Sequence, residues 1–304
     1  MVQDPFHLAI VTGRFAPQLS DGGQQVATAL AERGIDSDPV MWNDPTVDWR
    51  RFDGVLVRSC WEYPEDRGRF QTMLDEIEDA GVPICNPLSV LRWNLHKSYL
   101  PALDREGVQI PATTVIKQGT DTSLEEVIRT SGWDDVVVKP AIGAMSSDVW
   151  RTSATEVAES EQRFTDHVTD HDVLVQEFVP EISAGERSIV FFGGEYSHAW
   201  NSLPAEDDVT EFDGIDAEYD PPSEIRRQAG AVLQSACEII GLEKDRLPYA
   251  RIDYVHRDDD LLLMELELIE PYLGFERGDD TIERFCEEVV SYFEERTSRE
   301  SSGG

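Results

Sequence analysis

The chain has 304 residues, of which 61 are acidic and 26 are basic, and its formal net charge at pH 7 is -35. Because 40% of the residues are hydrophobic, the chain can build packed cores, which excludes an intrinsically disordered acidic protein. No stretch of the sequence clusters lysine and arginine, so nucleic acids and anionic membranes would be repelled and are not expected as partners.

The acidic residues are spread over the whole chain, whereas lysine occurs only at Lys97, Lys117, Lys139 and Lys244. Self-repulsion of so large a charge destabilises a fold in dilute buffer. In about 1 M salt the Debye length is only about 3 Å, so the same charge is screened. The composition therefore predicts a halophilic protein, with an ordinary acidic protein as the alternative.

Cysteine usage and hydropathy predict a cytoplasmic location. The four cysteines are far apart and lack the spacing of a zinc site, so we expect small buried residues in a reducing compartment. The N-terminus lacks the charged and apolar regions of a signal peptide. No apolar run approaches the length of a membrane span.

Short apolar strands and helices alternate over the first part of the chain. Strands are predicted at 8–11, 40–42, 54–57 and 82–85, and helices at 26–33 and 70–80. Alternation of this kind favours an open sheet of parallel strands. We assign residues 1–94 to this N-terminal α/β domain.

The next segment, 95–179, has the pattern of a small α+β unit. Helices are predicted at 97–106, at 123–130 and up to about residue 167, and strands at 111–116, 136–138, 149–151 and 173–176. The second of these helices opens with a capping box formed by Ser123 and Glu126.

The third segment, 180–297, is predicted to contain two hairpins and two helices. The hairpins pair 188–192 with 196–203 and 251–255 with 261–268, and the helices cover 225–240 and about 281–295. An acidic loop is expected over about 204–222, and the polar tail 298–304 is expected to be disordered. The predicted architecture is thus an α/β domain followed by two α+β subdomains.

The strongest local signal for chemistry lies in the second hairpin. Alternate residues of a strand share a face, so Arg251 and Asp253 project together on one strand, and Glu265 and Glu267 on its partner. Carboxylates grouped on one buried face repel each other and need cations. Mg²⁺ suits carboxylate and phosphate oxygens, which predicts a metal site; a strand with a solvent-facing acidic side is the alternative.

A second signal is Lys139, which ends a predicted buried strand and precedes a Gly/Ser loop at 143–147. Lysine binds phosphate as a point charge, and small side chains let backbone N–H groups reach phosphate oxygens. This is not a Walker A loop, because Lys139 precedes the glycine segment and the Gly-Lys-Ser/Thr sequence is missing. A G-x-G-x-x-G motif after the first strand is also missing. A surface loop with a snorkelling lysine is the alternative, against which the scarcity of lysine counts.

Further motifs follow these two signals in a defined order. Along the chain the order is Lys97, Val-Lys-Pro at 138–140, the Gly/Ser loop, Gln-Glu-Phe-Val at 176–179, Gly-Glu-Arg at 185–187, Arg-x-Asp at 251–253 and Glu-x-Glu at 265–267. This order resembles the ATP-grasp superfamily over about residues 95–290, and the N-terminal domain resembles its pre-ATP-grasp domain. Segments 58–63, 93–100 and 265–271 resemble more narrowly the glutathione-synthetase-like members, and among them the cyclo-ligases of cycloserine biosynthesis.

The resemblance implies which residues hold ATP. Lys97 and Lys139 would hold its phosphates. A mobile loop over the phosphates would include Gly143, Ser146 and Ser147. Glu177 and Val179 would border the adenine, and Glu186 would bond the ribose hydroxyls.

The resemblance also implies the catalytic and metal-binding residues. Arg187 and Arg251 would neutralise the transferred phosphate. Asp253, Glu265 and Glu267 would ligate Mg²⁺, with Mn²⁺ as an alternative. Many ATP-grasp enzymes have Asn where Glu267 stands, and the additional carboxylate leaves the number of metal ions open.

Four residues are candidates for substrate binding. Arg58 follows a predicted buried strand and is a candidate anchor for a carboxylate, since guanidinium binds carboxylates bidentately. Trp61 and Tyr63 would wall the substrate or, alternatively, pack in a core. His198, on a predicted hairpin strand, would contact the substrate or act as an acid or base; a structural histidine is the alternative.

The resemblance implies an ATP-dependent, ADP-forming ligase that joins a carboxylate to an amine through an acyl phosphate. Its substrates would be small amino acids or peptide-like molecules, and the narrower resemblance is compatible with intramolecular cyclisation. The alternatives are a γ-glutamyl or glutathione-type peptide ligase and a non-catalytic ATP-binding regulatory module. Homodimers are common among related ligases, although no interface is evident in the sequence.

Overall fold

The computed structural model describes residues 5–145, 148–204 and 212–302, and describes side chains throughout these ranges except at 212–215 and 297–302. One parallel sheet is followed by two antiparallel sheets, with helices packed on them, so the predicted mixed α/β and α+β architecture is confirmed. Within the described ranges, every helix is too short or too polar to cross a bilayer.

The N-terminal sheet is parallel. Its strands are β1 (Phe6–Thr12), β2 (Ile35–Met41), β3 (Gly54–Val57) and β4 (Ile84–Cys85), in the order β2-β1-β3-β4. Helix α1 (Asp21–Glu32) connects β1 to β2, and α2 (Arg67–Ala80) lies between β3 and β4. Ligands of such sheets bind at the carboxyl ends of the strands, which is where the segment 58–63 leaves β3.

The middle sheet is antiparallel and carries two helices. Its strands are β5 (Thr113–Ile116), β6 (Asp135–Pro140), β7 (Trp150–Ser153) and β8 (Val173–Glu177), in the order β5-β8-β6-β7. Helices α3 (Leu88–Asn94) and α4 (Tyr99–Arg105) lead into it, and α5 (Leu124–Ser131) and α6 (Val157–Asp170) pack on it. As predicted, the Ser123 hydroxyl caps α5 by accepting a 3.1 Å hydrogen bond from the Glu126 N–H.

The C-terminal sheet is also antiparallel. Its strands are β9 (Glu186–Phe192), β10 (Glu195–Pro204), β11 (Phe212–Glu218), β12 (Tyr249–Arg257) and β13 (Asp260–Glu267), in the order β11-β10-β9-β12-β13. Helix α7 (Ser223–Ile240) packs on one face, and α8 (Thr281–Ser302) with residues of the N-terminal sheet packs on part of the other. The remainder of that second face is left to the functional site.

Three local features differ from the sequence predictions. Strand β11 lies inside the predicted acidic loop, because pairing with β10 satisfies its backbone despite the loop-like composition. Helix α8 continues into the predicted disordered tail as far as Ser302, since Arg299 and Glu300 have good helix propensity. The short helix α3, which begins after Pro87, was not predicted.

Candidate functional site

Two cavities lie side by side on the face of the C-terminal sheet opposite α7, with volumes of about 210 Å³ and about 350 Å³. We call them the first and the second cavity. Six residues line both of them: Lys97, Gly143, Ala144, Met145, Glu265 and Glu267. A ligand in one cavity would therefore meet a ligand in the other at the same lysine and carboxylates.

The hairpin β12–β13 brings together the four charged side chains that the spacing predicts to be neighbours. Asp253 pairs with Glu265 across the strands, and Arg251 pairs with Glu267. The Arg251 Nη2 donates to the Asp253 Oδ2 at 2.9 Å and lies 2.8 Å from the Glu267 Oε1. The guanidinium thus links the carboxylates of both strands.

A β-bulge at Met264 sets the direction of these carboxylates. The register shifts there, so Tyr254 pairs with Leu263 while Asp253 pairs with Glu265. Leu263 faces the core beside α7, and strict alternation would send Glu265 to the same face. The extra residue reverses the alternation, which turns Glu265 and Glu267 toward the cavities and keeps Leu266 in the core.

Two of the four lysines lie at the cavities. The Lys97 ammonium forms an ion pair with Glu265 and donates to the Gly143 carbonyl at 3.0 Å. Lys139 lines the first cavity, is 9% exposed and has no hydrogen-bond acceptor within the ranges that the structure describes. Lys117 and Lys244 instead pair with acidic residues away from both cavities.

The partly buried carboxylates of this wall differ in their pKa values. Burial, together with the charges of Asp253 and Glu265, raises the pKa of Glu186 to about 8. Burial also raises the pKa of Glu267 to about 7, although Arg251 opposes the shift. For Glu265 burial acts in the same direction, but Lys97 and Lys139 outweigh it and hold the pKa below its usual value. The site therefore holds more carboxylates than its own cations neutralise.

The first cavity also contains the segment 177–179, which we call the hinge and which was predicted to border the adenine, since Glu177 and Val179 both line it. The backbone N–H groups of Glu177 and Phe178 donate to carbonyl oxygens at 2.9 Å. Val179 is 3% exposed, and its N–H finds no acceptor among the residues that the structure describes. A buried free donor at this position suits a flat ring with a hydrogen-bond acceptor on its edge.

The structure places Gly143 and Glu186 on the wall of the first cavity. Ser146 and Ser147, which were predicted to cover the phosphates, lie outside the described residues. Gly143 is tied to the same wall through its carbonyl, which accepts the bond from Lys97.

The predicted metal ligands are not arranged as a preformed metal cluster. Among the described side chains, no group of three or more acidic, histidine or cysteine residues could hold an ion by itself. Glu265 and Glu267 still fit Mg²⁺, because this ion commonly takes one or two carboxylates plus substrate phosphates. Asp253 fits less well: it accepts from Ser188 at 2.6 Å and from Arg251, and it lines neither cavity.

The second cavity is walled by residues of the N-terminal domain and of the segment after β13. Trp61 and Tyr63 line it, as does Arg251. The Trp61 Nε1 donates to the backbone carbonyl of Glu270 at 3.3 Å. Both aromatic residues therefore serve the cavity wall, and Tyr63 also packs in the N-terminal core against Phe70.

Besides Asp253, three predicted site residues that the structure describes line neither cavity. Arg58 is 8% exposed, and its Nη2 donates to the Pro271 carbonyl at 3.2 Å. Arg187 lies on the opposite face of β9 from Glu186, because neighbouring strand residues alternate, and its guanidinium donates to the Gly185 carbonyl. His198 is buried, and its ring pairs with the Leu273 carbonyl at 2.7 Å.

Asn94 and Glu270 are among the residues of the second cavity that were not predicted as site residues. The Asn94 side chain donates to the Leu266 carbonyl at 2.8 Å and accepts from the Leu268 N–H at 2.9 Å, so it fixes the edge of β13 around Glu267. The available signal was a polar residue between the apolar Trp93 and Leu95 at the end of α3. Glu270 also lines this cavity, and only its place after the Glu-x-Glu motif could have indicated it.

Comparisons with protein families match two parts of the chain. Residues 8–86 match the N-terminal domain of D-cycloserine synthetase DcsG. Residues 104–214 match the ATP-grasp domain of prokaryotic glutathione synthetase. The second match spans the middle sheet, which carries Lys139 and the hinge of the first cavity.

Two curated proteins are similar to the chain. The cycloserine biosynthesis protein DcsG of Streptomyces lavendulae is 28% identical over 294 residues, which cover 93% of this chain and 97% of that protein. The glutathione synthetase of Rhodopseudomonas palustris is 28% identical over 203 residues, which cover 64% of this chain and 62% of that protein.

Solved structures share the whole architecture. The crystal structure of D-cycloserine synthetase DcsG matches with a TM-score of 0.85 at 26% identity, covering 94% of this chain and 99% of that one. The D-alanine–D-alanine ligase of Bacillus anthracis matches with a TM-score of 0.70 at 15% identity, covering 97% and 99%, which shows the fold alone. Residues 104–214 therefore carry an ATP-grasp domain of the glutathione-synthetase type, and the chain as a whole is similar to D-cycloserine synthetase DcsG in sequence and in fold.

Proposed function

We propose that the protein activates a substrate carboxylate as an acyl phosphate and then joins it to an amine. The observation that carries this proposal is the wall shared by the two cavities. ATP in the first cavity would present its γ-phosphate at Lys97, Glu265 and Glu267, which also border the second cavity. A carboxylate there would meet the phosphate without leaving its own site.

The reaction would proceed in two steps. A carboxylate oxygen attacks the γ-phosphorus, the bond to the β-phosphate oxygen breaks, and ADP leaves with the electron pair. The amine then attacks the acyl carbon, inorganic phosphate leaves, and the amine loses a proton to solvent. Such phosphoryl transfer depends on positioning and charge neutralisation, and it requires no nucleophile from the protein.

The proposed roles follow the positions of the side chains. Lys97 and Lys139 hold phosphate oxygens, and Arg251 neutralises the charge of the transferred group at the entrance of the second cavity. The Val179 N–H and the Glu177 backbone border the adenine, and Glu186 binds the ribose. Arg187, which faces away from both cavities, has no direct role in this proposal.

Glu265 and Glu267 would hold Mg²⁺, or Mn²⁺, together with the phosphates, and Asp253 would orient Arg251 beside them. When bound, the ion would offset the negative charge of the phosphates and of the carboxylates. The raised pKa of Glu267 supports a site that is short of positive charge.

We propose a small amino acid or peptide-like substrate, with cyclisation within one molecule included. The similarity to a cycloserine biosynthesis protein and to D-cycloserine synthetase supports this choice. A glutathione-type peptide ligase is the second candidate, supported by the match of residues 104–214. A non-catalytic ATP-binding module is disfavoured, because Lys97, Lys139 and Arg251 all retain their places at the cavities.

We also propose a cytoplasmic, halophilic protein, divided at about residues 94/95 and 179/180. Four buried free thiols support a reducing compartment, and the net charge of -35 supports screening by high salt. Partners would be small carboxylates and amines. Nucleic acid and membranes are not expected, and a homodimer is left to measurement.

The test is ADP release in high KCl with Mg²⁺ and ATP, against a panel of D- and L-amino acids, alone and in pairs. The proposal expects release that depends on an amino acid. With ¹⁸O in the substrate carboxylate, one labelled oxygen should pass to inorganic phosphate, because the acyl phosphate bridges through it. ATP binding without amino-acid-dependent ADP release would favour the non-catalytic module, and unlabelled phosphate would exclude the acyl phosphate.

A further inference from the structure

A buried carboxylate without a partner lies in the wall of the second cavity. Glu270 follows β13, lines this cavity and is 8% exposed. Its Oε2 is buried without a hydrogen-bond donor, and within the described part of the chain no ion pair involves Glu270. Buried carboxylates are normally hydrogen-bonded or paired with a cation. Glu270 therefore lacks a donor or a cation that a ligand could supply.

The backbone around Glu270 is fixed from the N-terminal domain. The Trp61 Nε1 donates to the Glu270 carbonyl at 3.3 Å, and the Arg58 Nη2 donates to the Pro271 carbonyl at 3.2 Å. Both donors follow β3, so the carboxyl end of that strand holds the segment after β13 in place. The side chain of Glu270 is therefore presented by a constrained backbone.

The cations of the second cavity are already engaged. Lys97 pairs with Glu265, and Arg251 pairs with Glu267 and Asp253. Glu270 is the third carboxylate on this wall, against two cations. Burial, together with the charge of Glu267, raises the pKa of Glu270 well above its usual value, which reflects the missing partner.

The charge of Arg58 also opposes the rise of the Glu270 pKa, but Arg58 does not form an ion pair with Glu270. The Arg58 Nη1 is also buried without an acceptor. The two side chains therefore attract each other, but they do not form a hydrogen bond with each other. The alternative is a purely structural role, in which Glu270 is the counter-charge of Arg58. An experiment must distinguish this role from ligand binding.

We propose that Glu270 binds the protonated amino group of the substrate in the second cavity. This inference rests on the proposed function and specifies its substrate: an amino acid or aminoacyl compound with a free ammonium. The carboxylate of the substrate would point to the shared wall, and its ammonium would point to Glu270. Glu270 lines the second cavity but not the first. Trp61, Tyr63 and Tyr272 add aromatic walls that favour a cation.

The proposal excludes two kinds of ligand. N-acylated amino acids lack the positive charge, and hydroxy acids replace the ammonium with a neutral hydroxyl. Neither supplies a cation that would stabilise the ionised form of Glu270, so each should bind more weakly than the ammonium compound. The selectivity should therefore follow the charge of the amino position more than the size of the side chain.

The test compares alanine, N-acetylalanine and lactate, in both enantiomers, as ligands of the wild type and of Glu270→Gln. Calorimetric binding in high KCl, with a non-hydrolysable ATP analogue and Mg²⁺ present, gives a readout that does not depend on turnover. The wild type should prefer alanine to lactate by about tenfold or more, since charge-assisted hydrogen bonds are the strong ones. Glu270→Gln should lose this preference and keep its affinity for the nucleotide.

Glu62→Gln is the matched control. Glu62 is 4% exposed and also has a buried Oε2 without a partner, but it lines neither cavity. The Glu62→Gln variant should keep the preference of the wild type for alanine over lactate. Glu270→Asp, which retains the charge, should restore part of the preference and shows that the loss in Glu270→Gln does not arise from misfolding.

The outcomes separate this inference from the proposed function. No preference of the wild type for alanine, or an unchanged preference in Glu270→Gln, overturns the inference whether or not ADP is released. A lower melting temperature of Glu270→Gln with the preference intact would assign Glu270 to the structural role beside Arg58. Ammonium-dependent binding without any ADP release would support the inference and contradict the ligase chemistry.

Discussion

The two cavities differ in where their walls come from and in how their charges are used. The first is built by the middle sheet, its hinge and the carboxylates of the C-terminal sheet, and its Lys139 has no hydrogen-bond acceptor among the described residues. The second is built by Trp61 and Tyr63 of the N-terminal domain and by the segment after β13, and its unpartnered group is Glu270. A free cation suits an anionic nucleotide, and a free anion suits a cationic substrate end.

This difference separates the general part of the reaction from the specific part. In the proposed function, phosphate handling depends on charges that would come from the strands of the C-terminal sheet and from Lys97 and Lys139. Substrate choice would depend on side chains after β3 and β13. Substitutions in the two cavities should therefore change different kinetic parameters.

The largest effect is expected where both cavities meet. Glu265→Ala removes the carboxylate that pairs with Lys97 on the shared wall, so ADP formation should fall by roughly 10²-fold or more. Circular dichroism and the melting temperature should remain near those of the wild type. Glu159→Ala, an exposed glutamate of α6, is the control and should be fully active. Unchanged turnover of Glu265→Ala would contradict the metal and phosphate assignment.

The next effect should be confined to the first cavity. Lys139→Met removes a buried ammonium that has no acceptor in the described part of the chain, so the KM for ATP should rise by roughly tenfold to a hundredfold. The KM for the amino acid should change little. Lys117→Met is the matched control, because this exposed lysine pairs with Asp172 away from both cavities. A raised KM for the amino acid alone would reverse the assignment of the cavities.

A smaller effect is expected in the second cavity. Trp61→Ala removes an aromatic wall and the bond that holds the Glu270 carbonyl, so the KM for the amino acid should rise by roughly tenfold. Initial-rate measurements should find the KM for ATP almost unchanged. Trp133→Ala, which removes a tryptophan that packs on the middle sheet, is the control. If both Michaelis constants rise equally, the cavities are not independent.

The smallest effect concerns pH. The pKa of Glu186 is raised to about 8, so the folded protein binds more protons than the unfolded chain between the usual glutamate pKa and this value. Stability should therefore fall as the pH rises through that window. In nucleotide-free protein with EDTA, the melting temperature should decline from about pH 6 to about pH 9, and Glu186→Gln should flatten the decline.

The control for this pH series is Glu195→Gln, at an exposed carboxylate on β10. It should leave the slope unchanged, because solvent already stabilises that charge. If Glu186→Gln does not change the slope of melting temperature against pH, the raised pKa of Glu186 is contradicted.

The sequence predicts those parts of the site that depend on periodicity within one strand or on motif order. The shared face of Arg251, Asp253, Glu265 and Glu267 follows from alternation and a hairpin. The bulge at Met264 does not follow, although it decides which face the glutamates take. The parallel N-terminal sheet was predicted because its buried strands are short apolar runs separated by helices.

Other features depend on contacts between segments distant in the sequence. Arg58 was expected at the substrate, but it donates instead to the Pro271 carbonyl behind the cavity. The Asn94 side chain fixes the edge of β13, and this contact is visible only once the two segments meet. Strand β11 forms in acidic sequence because β10 offers it backbone partners. Local patterns contain none of these contacts.

A crystal structure grown in high KCl with a non-hydrolysable ATP analogue, Mg²⁺ and an amino acid that releases ADP would show directly where both ligands bind. We expect adenine at Val179, the γ-phosphate between Lys97 and Glu265, and the amino acid in the second cavity with its carboxylate toward that phosphate. A nucleotide outside the first cavity, or an amino acid far from the shared wall, would contradict this expectation.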